Sequence, residues 1–179
     1  NYFGQLLTDT KPLQELLQAE QLMIVSPFVY EPMLEFLCGR KIKHSKKILL
    51  THRENVTQRV LNCFDEVYIE NDAMLENNVA SVRLHAKMYL TQTSNPKRYH
   101  LYLGSANATQ KAFKENSEMM IGLKFKQLGS GDRFEMIRDE ILGSENRYIQ
   151  VTQPTVDTVI DKRLEQEADQ VLKQAMLAL

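Results

Sequence analysis

No run of eighteen or more apolar residues occurs in the chain, which excludes a transmembrane helix. The amino terminus lacks a basic segment followed by an apolar one, so a secretory signal is not expected either. Cysteine is scarce. Cys38 and Cys63 stand without a CxxC pair or a histidine nearby, which speaks against a zinc site and against a disulfide framework. Both are expected to be reduced, partly buried thiols of a cytoplasmic protein. Excess charge is missing as well: 22 Lys and Arg face 23 Asp and Glu, a formal net charge of -1, so any basic surface for a polyanion must be local. Internal repeats and low-complexity segments are absent. The remaining picture is a 179-residue chain, long enough for one domain with a sizeable core. It begins at Asn1 without an initiator methionine, as expected of a processed protein or of a domain from a longer chain.

Periodicity supplies the elements. "KPLQELLQAE" (11–20) puts Leu13, Leu16 and Leu17 on one helical face with Pro12 in the first turn. "QLMIVSPFV" predicts a buried strand that stops at Ser26-Pro27, and "EPMLEFLCG" a helix that ends at Gly39. "KKILLTH", "ENVTQRVLNCF" and "DEVYIEND" continue the alternation as strand, helix and strand. After Asp72 the pattern changes. "SVRLHAKMYL" and "YHLYLGSAN" predict an antiparallel hairpin joined by the polar loop "TQTSNPKR", followed by the strand "SEMMIGLKF" and the helix "DRFEMIRDEIL". The expected fold is α/β, a three-layer α/β/α sandwich with a mixed sheet over residues 1–150. Residues 151–179 carry an apolar stripe from Val156 to Leu179 at helical spacing, suited to packing, to dimerisation or to a link with a missing domain.

"RLHAKMYL" (83–90) holds the chemistry of interest. In a strand, His85 and Lys87 project from one face, and burying both demands an anionic partner. "GSAN" (104–107) closes the partner strand and "NSE" (116–118) opens the next, so Ser105, Asn107 and Glu118 can converge on the pair. These residue types suit phosphodiester chemistry. A histidine with one free lone pair is a nucleophile, a carboxylate on its other nitrogen fixes the tautomer, and Glu118 is a candidate for that carboxylate. Lys87, Ser105 and Asn107 can steady charge developing on phosphoryl oxygens. No paired-carboxylate cluster accompanies them, so no metal and no cofactor is expected, and the lysine takes the place of an ion.

The order H-x-K, then G-S-x-N, then a downstream glutamate resembles the phospholipase D superfamily and its HKD motif. Here it stands as His85-Ala86-Lys87, Gly104-Ser105-Ala106-Asn107 and Asn116-Ser117-Glu118, and "LMIVSPFVYEPMLEFL" is similar to the opening strand and helix of such domains. The resemblance covers roughly residues 10–142 by pattern. One position departs: Gln92 stands where the family has the aspartate of its motif, a residue held to support the motif rather than attack phosphorus. With a single motif the chain is most similar to nuclease and restriction-enzyme members. That implies a two-fold homodimer in which His85 of one copy attacks phosphorus to give a phosphohistidine while His85 of the other protonates the leaving oxygen.

For substrate, "RKIKHSKKILLTHR" (40–53) contributes Arg40, Lys41, Lys43, Lys46, Lys47 and Arg53 without an acidic residue, a tract able to follow a nucleic-acid backbone. Lys111, Lys114 and the hairpin tip add to it. A lipase would need a large apolar entry surface, and none is legible. DNA is therefore favoured over RNA, and both over lipid. Two alternatives stand: a non-catalytic nucleic-acid-binding or dimerisation module of a larger protein, and an enzyme acting on a phospholipid or another phosphodiester. His52 and Arg53 follow a strand end and are expected at the surface, His44 and His100 have no evident partner, and Tyr99 and Tyr102 are expected to pack within the hairpin.

Overall fold

In the computed structural model of the chain, residues 5–6, 11–39, 44–75, 83–94, 97–109, 112, 118–126, 131–143 and 146–155 are described. Eight strands make one mixed sheet: β1 (Gln5–Leu6), β2 (Gln21–Val25), β3 (Lys46–Leu50), β4 (Glu66–Glu70), β5 (Lys87–Ser94), β6 (Lys97–Gly104), β7 (Met119–Lys126) and β8 (Tyr148–Gln150). Their order across the sheet is β1-β7-β6-β5-β2-β3-β4-β8. β2, β3 and β4 are parallel, and every other pairing is antiparallel.

Helices cover both faces, as expected for the sandwich. α1 (Lys11–Gln18), α2 (Glu31–Cys38) and α3 (Gln58–Cys63) lie on one face, where Leu16, Met33, Leu34, Leu37 and Val60 pack against Leu22, Ile24, Leu49 and Tyr89. α4 (Asp72–Leu75) is a single short turn. α5 (Arg133–Leu142) covers the other face, with Phe134, Ile137 and Ile141 against Met23, Val25, Ile48, Leu50 and Leu90. β2 and β3 thus bury both of their faces, which is why each reads as an unbroken apolar run rather than an alternation. Full burial of each such side chain contributes about 1.5–3 kcal/mol.

Local signals set the ends. Thr57 Oγ1 accepts the Val60 N–H at 3.2 Å to begin α3, and Asp132 Oδ1 accepts the Phe134 N–H at 2.9 Å to begin α5. Gly143, at φ 67°, closes α5 in the left-handed region open to glycine. α1 is tied to the sheet by Glu15, which meets His100 Nδ1 at 2.8 Å and Lys124 at 2.8 Å and accepts the Tyr102 hydroxyl. His44 Nδ1 meets the Ala19 carbonyl at 2.7 Å, so both histidines left unpartnered in the sequence reading have partners.

Several expectations are corrected. "ENVTQRVLNCF" is not one helix: a 3-10 turn, Arg53–Asn55, precedes α3. The polar loop "TQTSNPKR" is mostly strand, paired from Thr91↔His100 to Ser94↔Lys97, because β5 is an interior strand whose ladder runs on through polar residues. His85 lies before β5 rather than within it. Cys38 and Cys63 are not free thiols: they form a disulfide between α2 and α3 with Cα atoms 5.6 Å apart, inside the span a disulfide bridges. The amphipathic stripe of residues 156–179 falls outside the described residues, as do Arg40, Lys41, Lys43, Lys111, Lys114, Asn116 and Ser117.

The topology gathers one edge. β5 runs against β2, so Met88 pairs with Val25 and the start of β5 lies beside the carboxyl ends of the parallel strands. Lys87 pairs with Gly104, and Gly104 with Met120, which brings the end of β6 and the start of β7 to the same edge. Crevices outside the carboxyl ends of parallel strands are where open α/β sheets bind ligands.

Candidate active site

Lys87 opens β5 and is 7% exposed, whereas His85 is exposed on the extended segment leading into it. Lys87 Nζ donates to the His85 carbonyl at 2.7 Å and lies 3.1 Å from His85 Nε2. An ammonium has donors only, so Nε2 is the acceptor and the proton of the neutral ring sits on Nδ1. Two of the three ammonium hydrogens are thereby used, and one remains for a ligand. Burial pulls the Lys87 pKa below its ordinary value, and the Glu118 carboxylate opposes that fall.

Across the ladder, Ser105 follows β6. Its N–H donates to the Met119 carbonyl at 3.0 Å, its Oγ accepts the Met119 N–H at 3.0 Å and donates to the Glu118 carboxylate. Glu118 thus stands at the head of β7, held by Ser105 and near enough to Lys87 to act on its charge. Gly104 has no substitute here: a Cβ would run into the Met119 carbonyl and come within 2.6 Å of Met120 Sδ. The next residues are fixed from below, since the buried Tyr89 hydroxyl donates to the Ala106 carbonyl at 2.9 Å. Asn107 Oδ1 is buried without a hydrogen-bond partner. Further along, Thr109 Oγ1 accepts the Ala112 N–H at 3.0 Å. His85, Lys87, Ser105, Asn107 and Glu118 therefore share one edge of the sheet.

Sequence reasoning missed the other groups at this edge. Glu70, the last residue of β4, accepts the Leu84 N–H with one oxygen and meets His52 Nδ1 at 3.0 Å with the other. Phe28 packs edge-on to the His52 ring, centroids 5.9 Å apart, and Phe28 and Tyr30 are 45% and 55% exposed. The loop carrying them is held through buried Ser26, whose Oγ accepts the Ala108 N–H at 2.9 Å and donates to the Phe28 carbonyl at 2.7 Å. The signal was present in Ser26-Pro27, a break placed directly after a parallel strand.

Of the basic tract, Lys46, Lys47 and Arg53 fall among the described residues. Lys46 and Lys47 begin β3, whose carboxyl end reaches the site, so they lie about 10–13 Å from that end along the strand. Lys46 is engaged by Glu66 at 2.8 Å and Glu135 at 3.4 Å. Arg53 is near the site and pairs with Asp72 at 2.8 Å, and exposed Arg83 stands two residues before His85. Gln92 is also distant. It is buried opposite Gln21, five residues along β5 from Lys87 and about 16 Å from it, with Oε1 unpaired. Among the described residues, no three His, Cys, Asp or Glu side chains group as a metal-binding set.

An apolar surface does exist, against the sequence expectation. Leu103, Met119, Ile121 and Leu123 stand 36–65% exposed on β6 and β7, with Leu103 paired to Ile121. Met119 directly follows Glu118. Among the described residues no helix is long and apolar enough to cross a membrane.

This mixed sheet has the fold of the phospholipase D family. A phospholipase D family member, Nuc from Salmonella typhimurium, superposes with a TM-score of 0.51 at 14% identity over 79% of this chain and 88% of its own. Polyphosphate kinase from Porphyromonas gingivalis gives 0.51 at 10% identity over 81% of this chain and 22% of its own. NucT from Helicobacter pylori gives 0.45 at 15% identity over 68% and 84%. No protein-family model and no curated protein matches the sequence.

Proposed function

We propose that this chain is a phosphodiester hydrolase, a nuclease acting without a metal ion through His85. The observation that carries the reading is Lys87 Nζ at 3.1 Å from His85 Nε2 at the sheet edge, with Ser105 and Glu118 across the ladder. A phosphate oxygen entering the site takes the remaining Lys87 hydrogen and draws the ammonium off Nε2, releasing the nucleophilic lone pair. Nε2 then attacks phosphorus in line; an N–P bond forms and the P–O bond to the leaving oxygen breaks. Lys87 and Asn107 hold the phosphoryl oxygens, and Glu118, with Ser105 orienting it, faces the cationic ring. His85 of a second copy gives the leaving oxygen its proton. It then takes a proton from water as that water attacks phosphorus and frees the first histidine.

The second copy is supported by the apolar strip. Leu103, Met119, Ile121 and Leu123 form an exposed face continuous with the site, the kind of surface a two-fold partner covers. The same strip favours a second reading, in which the substrate is a phospholipid whose chains lie along it. Family analogy alone suggests a restriction or defence setting.

The test is cleavage of plasmid DNA, bis(p-nitrophenyl) phosphate and phosphatidylcholine vesicles in excess chelator by the parent protein, His85→Ala and Glu118→Gln. Chelator-resistant DNA cleavage lost in His85→Ala is expected. Turnover of vesicles without DNA cleavage moves the reading to lipid, and no turnover of any of the three by a dimeric parent ends it. Mass in solution is expected at twice 20.7 kDa.

A further inference from the structure

The loop after β2 carries two aromatic side chains that the reaction does not use. Phe28 and Tyr30 are 45% and 55% exposed, although apolar rings of this size are ordinarily withdrawn from water. Neither is loose. Pro27 offers its carbonyl to Asn55 Nδ2 at 2.6 Å, Ser26 ties the loop to Ala108, and the Tyr30 N–H donates to the Ala108 carbonyl at 3.3 Å. The backbone beneath both rings is therefore anchored to the segment that carries Asn107.

Position matters as much as rigidity. Val25 pairs with Met88, so Ser26 stands level with Lys87, and the loop from Pro27 leaves the sheet beside His85, about one strand spacing away. Phe28 is backed by His52, itself fixed by Glu70, while Glu70 also holds the residue before His85. Exposed Arg83 lies on the same segment as His85, its guanidinium 3.9 Å from Glu54. An anchored pair of exposed rings next to a phosphate-handling site fits a strand whose bases are unstacked and available. A closed duplex would present phosphates and bury its base faces, leaving the rings nothing to stack on.

We propose that Phe28 and Tyr30 form a stacking shelf for bases flanking the scissile phosphate, which makes single-stranded nucleic acid the substrate of this site. The proposal rests on the phosphodiesterase reading and narrows it. Stacking tolerates every base, so the shelf gives a preference for unpaired strands without sequence specificity.

The two readings are separable by binding. Fluorescence anisotropy with a labelled oligothymidylate and with a duplex of the same length, on non-cleaving His85→Ala protein, is expected to show tighter binding of the single strand. Adding Phe28→Ala or Tyr30→Ala is expected to weaken single-strand binding roughly tenfold each, while Phe28→Tyr retains it. Both rings are exposed, so the variants keep the fold, which circular dichroism checks. Duplex bound more tightly than the single strand, or alanine variants that bind the single strand like their parent, would overturn the shelf. Failure of the parent protein to hydrolyse bis(p-nitrophenyl) phosphate strikes the phosphodiesterase reading instead and leaves the binding result standing.

Discussion

Glu70 accepts the N–H of Leu84 with one carboxylate oxygen and meets His52 with the other, so the end of β4 determines where His85 begins. Leu84 is buried and His85 is not, and no ladder hydrogen bond reaches this segment before Lys87. Glu70 acts as a positioning residue. Glu70→Ala is expected to lower kcat on a small phosphodiester by roughly tenfold or more with little change in KM, since a displaced histidine binds but does not attack. Glu70→Gln retains an acceptor for Leu84 and is expected to recover most of the loss. Equal kcat for Glu70→Ala and the parent would remove this role.

Gly104 is the tightest point of the site. Gly104→Ala forces a Cβ onto the β7 backbone at Met119 and Met120, and is expected to destabilise the protein by about 3 kcal/mol or more in urea melts. Gly122→Ala meets only the Tyr102 ring, 3.0 Å from Cε1, which can shift; a loss of about 1–2 kcal/mol is expected.

The Glu66 cluster gives the fold an acid limit. Burial raises the Glu66 pKa, but hydrogen bonds from Lys46 and Tyr68 outweigh it, and the net shift is below the ordinary 4.5. A carboxylate depressed in the folded state contributes stability that is complete above its unfolded value and lost as pH falls through the folded one. Stability is therefore expected to hold down to about pH 5 and to decline below it, less steeply in Lys46→Met. On the alkaline side, Tyr68 is pushed up to about 12 by burial and by Glu66, so its phenolate band should emerge only near that pH.

Gln92→Asp restores the family's motif at a place where it has no phosphate to serve. The side chain is 3% exposed, pairs across the ladder from Gln21 and is remote from Lys87, so a carboxylate there replaces a buried neutral amide. The variant is expected to melt at lower denaturant concentration with no gain in kcat. Higher kcat would reveal a link along β5 from Gln92 to the site.

The Cys38–Cys63 bond staples α2 to α3 across 25 residues. Closing a loop of that length is worth about 3–4 kcal/mol by chain entropy. Cys63→Ser should unfold at correspondingly lower denaturant, and thiol titration of the unreduced, denatured parent should find no free cysteine among the two.

The alternating half of the fold was plain in the sequence because β2 and β3 are buried on both faces and α2 ends at a glycine. The antiparallel half was harder. Thr91 and Gln92 are polar yet 1% and 3% exposed, since β5 is paired on both sides and its ladder, rather than its side chains, decides the conformation. β1 and β8 have two and three residues, too short for any period, and α4 only four. At the site, spacing named His85, Lys87, Ser105, Asn107 and Glu118. It could not name Glu70, Phe28 or Tyr30, which strand order brings to the same edge. Of the basic tract, Lys46 and Lys47 begin β3 and Arg53 follows its other end, so these described members lie at opposite ends of one strand.

Strand order also dictates a schedule. β5 and β6 are neighbours in sequence and can zip early, whereas Gln5 must find Met120 before β7 gains its outer partner. Contacts between distant parts of a chain close slowly. Lys87 and Gly104 meet through the β5–β6 pairing and Glu118 reaches Ser105 through the β6–β7 pairing, both local in sequence, while β1 is left to dock last. A refolding chain should regain this hairpin structure before β1 closes the outer edge of the sheet.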